Sequence, residues 1–160
     1  MFFCHRRLRC NDCSGRRRIM KTTVAAVLLC AGCYAQSVTI VRSGSTNTDG
    51  FQIVVEESGQ AEYLSQPRRS AIENREAPKT IRKTIPKPLA KALYADVKAA
   101  RPLSSLPPQR CMKSTSFGTR LTIQFGDDIS PDLSCGDGGD AKMQALIRDT
   151  DAILKSFSVQ

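Results

Sequence analysis

The sequence predicts an α+β domain: a small antiparallel sheet with two helices packed on one face, cross-linked by one disulfide. Three observations lead there. Short period-two segments succeed one another through hairpin-length links, with no regular strand–helix alternation, so the strands pair antiparallel. Two longer segments, one following Pro86 and one following Asp140, carry apolar residues at helical spacing. Of the seven cysteines, only Cys111 and Cys135 lie beyond residue 35. At 160 residues the chain suits one domain of ordinary size rather than two.

The elements follow in order. Residues 37–42 (SVTIVR) are rich in β-branched side chains and read as a strand. After the turn cluster at 44–50, Phe51, Ile53 and Val55 alternate with Gln52, Val54 and Glu56. A Ser58-Gly59 turn returns the chain through 60–64, so 51–64 predicts a hairpin. Residues 65–84 are charged and proline-punctuated, and read as a long exposed loop whose end, 80–85, pairs as an edge strand. Pro86 and Pro88 suit the first turn of a helix. On its face lie Leu89, Ala92, Leu93, Val97 and Ala100. Pro102, Pro107 and Pro108 end the helix, with Leu103 and Leu106 turned to the core. Residues 113–117 and 119–125 predict a second β region broken at Gly118, and 126–140 a loop holding Cys135. Met143, Leu146, Ile147, Thr150, Ile153, Leu154 and Phe157 then mark a second helix, with Asp140 as its N-cap.

The first 35 residues read as a leader. From Lys21 an apolar run of about ten residues ends in small residues, the form of a secretory signal and too short to span a membrane. Two processing routes are open. Cys33 and Ala35 suit cleavage before Gln36, leaving an exported domain of residues 36–160. Alternatively, Cys30-Ala31-Gly32-Cys33 acts as a lipobox, making Cys33 a lipidated first residue at a membrane surface. Met20-Lys21 opens a conventional signal by itself, so translation is expected to start at Met20. Residues 15–21 also resemble the twin-arginine export pattern, departing from it at Gly15 and Ile19. Cys4, His5, Cys10 and Cys13 are zinc-ligand types, but their spacing fits no finger.

The formal charge of +9 is largely that leader. Seven of the 24 basic residues precede Gln36 beside the single acid Asp12, leaving 17 basic against 14 acidic groups, a balance near +3. Nucleic acid is therefore not an expected partner. The basic residues Arg68, Arg69, Arg75, Lys79, Arg82, Lys83 and Lys87 form the one remaining patch, which lacks interleaved aromatics and reads as a solvated face. In an oxidising compartment Cys111 and Cys135 are expected to join.

His5 is the sole histidine, so the exported part has no Ser-His-Asp, Cys-His or histidine–metal chemistry. It also lacks a Ser-x-x-Lys, a G-x-S-x-G elbow and a phosphate loop. Carboxylates remain: Glu56, Glu57 and Glu62 are the acids a carboxylate-based enzyme would use. Asp127, Asp128 and Asp132, with Asp137 and Asp140, are weak calcium candidates, because the order of a D-x-D-x-D-G loop is missing and turns and caps explain them. No catalytic residue, resident metal or cofactor is expected.

The segments Ile85-Pro86-Lys87-Pro88-Leu89-Ala90, Cys111-Met112-Lys113-Ser114-Thr115-Ser116-Phe117-Gly118 and Ser130-Pro131-Asp132-Leu133-Ser134-Cys135 resemble those of small exported bacterial proteins of no characterised function. The likeness covers about half the chain, implies no activity, and supports the Cys111–Cys135 pairing. The expectation is a non-enzymatic periplasmic or secreted domain that binds or shields an envelope or extracellular partner. The alternatives are a carboxylate enzyme assisted by calcium, or a protease-inhibitor-like module presenting residues 102–110 beside Cys111.

Overall fold

A computed structural model describes residues 36–68 and 77–159. The chain divides into two units, Met1–Cys33 and Tyr34–Gln160, and the first lies wholly outside the described residues. So do the signal segment, Cys33, the N-terminal cysteines with His5, and Arg69 and Arg75 of the basic patch.

Six strands form one antiparallel sheet: β1 (Val38–Arg42), β2 (Gly50–Val55), β3 (Gln60–Gln66), β4 (Thr80–Thr84), β5 (Leu121–Phe125) and β6 (Asp128–Ile129). Their spatial order is β4-β3-β2-β1-β5-β6. Two helices, α1 (Lys87–Ala100) and α2 (Ala141–Ser156), complete the α+β class that the patterning predicts. Register aligns Ile81, Tyr63, Ile53, Ile40 and Ile123 in one row across five strands. Ile40, Ile53 and Ile123 in that row are fully buried. Because strand side chains alternate between faces, Val38, Phe51, Val55, Leu121 and Phe125 share this covered side. The opposite side carries Thr39, Val41, Gln52, Val54, Thr122 and Gln124, all half-buried.

The covering layer is built from Ala90, Leu93, Tyr94, Val97 and Ala100 of α1 and Met143, Leu146, Thr150, Ile153 and Leu154 of α2. Pro86 precedes α1, and Pro88 sits in its first turn, where no amide donor is needed. Asp140 caps α2 by accepting a bond from the Met143 amide at 2.9 Å. The α1 face is rotated from the expected one toward Ala90 and Tyr94. The reason is polar: the Tyr94 hydroxyl reaches the carbonyl oxygens of Gln36 (2.8 Å) and Val55 (2.9 Å), closing the end of β1 and β2 against the helix. Arg148 joins the helices, bonding Asp96 at 2.9 Å and Asp149 at 3.0 Å. Burial pushes the Asp149 carboxyl up, opposed by Arg148 and reinforced by Asp96.

Two expectations for the second half are corrected. Residues 113–117 are not a strand: the Gly118 amide bonds the Ser114 carbonyl at 2.7 Å, turning the segment on itself, and regular pairing begins only at Leu121. Hydroxyl-rich residues without an alternating apolar face give such a segment nothing to bury. Within the expected loop, Gly126 adopts φ +63°, the left-handed conformation that a two-residue hairpin turn requires, so Asp128–Ile129 returns as β6.

Tyr94→Phe is expected to cost about 1–2 kcal/mol by leaving two carbonyls without their donor. Ile40→Ala should cost about 2–5 kcal/mol through the cavity it opens. Urea unfolding followed by circular dichroism measures both.

Candidate functional site

Between the end of α1 and β5 the chain crosses twenty residues without forming an α-helix or strand. Its start is well fixed. Leu103 and Leu106 are buried on either side of a 3₁₀ turn, Leu103–Ser105. The Asp128 carboxylate accepts the amides of Leu103 (2.7 Å) and Ser104 (3.1 Å), with Arg101 alongside at 3.5 Å. The Leu103 amide in particular holds the Asp128 carboxyl below the usual carboxylate range. Within the exposed segment expected at 102–110, Leu103 and Leu106 are thus tied to the sheet, while Pro102, Ser104, Ser105, Pro107, Pro108 and Arg110 are exposed.

Its far end is held by a second set of contacts. The Cys111–Cys135 disulfide is present, with Cα atoms 5.4 Å apart. Cys135 belongs to a 3₁₀ turn, Leu133–Cys135, which Leu133 anchors in the core and Asp132 caps through the Ser134 amide at 3.1 Å. Asp132 also accepts the first amide of β5, from Leu121, at 3.1 Å. Lys113 forms an ion pair with Asp132 and donates to the Thr119 carbonyl (2.6 Å) and the Ser134 hydroxyl (2.5 Å). Burial alone would raise the Asp132 carboxyl, but Lys113, Ser134 and the two amides outweigh it and leave it lowered. Downstream, the Ser116 carbonyl accepts the Asn47 amide (3.0 Å) and the Ser45 hydroxyl (2.8 Å), binding the loop to the β1–β2 connection.

On this fixed frame two large apolar side chains face water. Met112 is 103% exposed and Phe117 65% exposed. Together with Cys111, Lys113, Ser114, Gly118, Thr119 and Ser134 they line one shallow concavity of about 360 Å³.

The other candidates do not converge. Asp127 is exposed, Asp128 caps the 3₁₀ turn, Asp132 pairs with Lys113, Asp137 accepts the Gly139 amide, and Asp140 caps α2. Among the described residues no three His, Cys, Asp or Glu side chains are grouped to hold a metal. Glu56 and Glu62 line one shallow depression on the sheet, but Glu62 is paired with Arg82 at 3.1 Å, and Glu57 is turned to Lys98 at 3.5 Å. Of the basic patch, Arg82 is therefore engaged, and Lys83 lies over the Phe157 ring at 4.5 Å. A serine–lysine contact, Ser134 with Lys113, does arise from residues far apart in sequence. Its lysine donates to three acceptors, one of them a carboxylate, as an ammonium does, so it is not placed to take a proton from the serine. No helix of the described residues is long and apolar enough to cross a membrane.

No protein-family model matches the chain, and a search of curated proteins returns no similar sequence.

Replacing both Cys111 and Cys135 by Ala should lower unfolding free energy by about 3 kcal/mol, the chain-entropy value for a loop of this length. Acid unfolding gives a separate check. A lowered carboxyl contributes stability that is complete above its unfolded value, about 3.9, and is lost as pH falls through the folded one. Stability should therefore drop below about pH 4, and Asp132→Asn should be less stable at neutral pH and show a shallower acid loss.

Proposed function

We propose that this chain is an exported, non-enzymatic binding module that meets an envelope or extracellular partner through the loop bearing Met112 and Phe117. One observation carries the reading: on one loop Met112 is wholly exposed and Phe117 largely so. Single exposed apolar residues are ordinary on protein surfaces. Here two border one concavity, and the frame beneath is fixed by a disulfide, an ion pair and backbone bonds. Such a loop loses little conformational freedom on binding, so more of the free energy of burying Met112 and Phe117 appears as affinity. Export is supported by the basic, apolar and small-residue succession from Lys21 to Ala35 and by a disulfide suited to an oxidising compartment.

The test is made in the native host. The intact mass of the isolated protein is expected to begin at Gln36, or at a lipid-bearing Cys33, rather than at Met1. A photo-crosslinking side chain at position 112 should then give one discrete adduct, identified by mass spectrometry. The same probe at exposed Lys91 on α1 should give none. Identical patterns from both positions, or an uncleaved cytoplasmic chain, would sink the proposal.

A further inference from the structure

We infer that residues 109–113 are a substrate-like inhibitory segment for a serine protease with an apolar primary pocket, and that Met112 is the side chain which enters it. This rests on the binding-module reading and names the partner class for the same loop.

Backbone chemistry is the first support. Residues 109–113 lie in no helix, strand or turn, and among the described residues no backbone N–H or C=O of Arg110, Cys111 or Met112 is hydrogen-bonded. An exposed segment with free donors and acceptors can pair with the edge of a partner's strand, the mode by which extended peptides are bound. The second support is fixation from both sides of one residue. Cys111 is tied covalently to Cys135, while Lys113 is held by Asp132, Thr119 and Ser134. Met112 thus projects freely between two immobilised neighbours.

Side-chain direction and chemistry then select the pocket. Met112 is wholly exposed, so its side chain faces away from the domain. An unbranched apolar side chain suits a hydrophobic slot rather than the carboxylate-bearing pocket that takes Lys or Arg. The Lys113 ammonium is already bound within the domain and is not free to enter an acidic pocket.

The same anchors explain inhibition rather than digestion. The protease serine hydroxyl adds to the Met112 carbonyl carbon, and the bond to the Lys113 nitrogen breaks. The proton lost by the hydroxyl ends on the departing amine. Cys111 keeps the acyl half on the domain and the Lys113 contacts keep the amine half beside it. The amine therefore re-attacks at high effective concentration, restoring the peptide bond and the serine hydroxyl. Where water attacks instead, a Met112 carboxyl and a free Lys113 amine result, and the two pieces stay joined through Cys111–Cys135.

The experiment titrates the full, oxidised chain against chymotrypsin, elastase and trypsin. Inhibition of chymotrypsin or elastase at micromolar concentration or tighter is expected, with trypsin unaffected. Met112→Gly should weaken inhibition about thirtyfold or more, and M112K should move it to trypsin. Because Met112 is wholly exposed, M112K should unfold at the wild-type temperature and Met112→Gly within a few degrees of it, glycine acting through the unfolded chain. Long incubation should produce a single nick after Met112 whose fragments separate only on reduction. Absence of inhibition, inhibition indifferent to residue 112, or rapid cleavage there without inhibition would overturn the assignment. Sedimentation with phosphatidylglycerol vesicles that M112D abolishes would likewise overturn it in favour of a lipid surface. If no protease is inhibited but the cross-link at 112 still finds one partner, only the protease assignment fails; if that cross-link is also missing, both readings fail.

Discussion

Strand β1 can be buried only if both of its edges are paired, and its two partners come from distant parts of the chain. Ile40 faces Ile53 of β2 on one side and Ile123 of β5 on the other, and none of its surface reaches water. An unpaired edge here would leave buried amides and carbonyls without partners, a cost comparable to losing each bond outright. The β2 side is supplied at once by a local hairpin. The β5 side must wait until the chain has built two more strands and crossed the covered face as α1. The return to β5 is therefore the step on which closure of the core depends.

That return is made with few apolar residues. β5 has five residues and β6 only two, so the sheet holds this edge weakly by itself. What fixes it is polar and covalent. Asp128 grips the end of α1's connection, and Asp132 joins the Leu121 amide, the Ser134 turn and Lys113. The disulfide ties the crossing segment to the turn before α2. Buried Leu103, Leu106 and Leu133 supply three apolar pegs beneath them.

Much of the core was legible in sequence because it obeys simple periods. Phe51, Ile53 and Val55 alternate, as do Leu121, Ile123 and Phe125; Met143, Leu146, Thr150, Ile153 and Leu154 recur at helical spacing, and each set is buried as its period requires. The exposed loop was not legible in that way. Its order comes from partners far apart along the chain, such as Lys113 with Asp132 and Ser116 with Asn47, which no local period encodes. The same applies to Tyr94, whose burial follows from a bond to Val55 39 positions away. The aspartates of 127–140 were readable as turn and cap residues, but which amide each accepts depends on tertiary structure. Asp149, buried beside Arg148, escaped notice because a charged residue on a helix reads as solvated until the second helix is in place.

The two kinds of order have different consequences for change. In the sheet and helices an altered side chain alters packing, since each apolar residue is both structure and core. In the loop, the frame consists of backbone bonds, one ion pair and one disulfide, while Met112 and Phe117 touch solvent. Met112, wholly exposed, is the position that can vary without loosening what holds it. A surface organised in this way can change its exposed side chain while its stability remains that of the domain beneath. The anchors allow no such latitude: loss of the Asp132 carboxylate would release Lys113, the Leu121 amide and the Ser134 turn together, slackening the loop and the sheet edge at once.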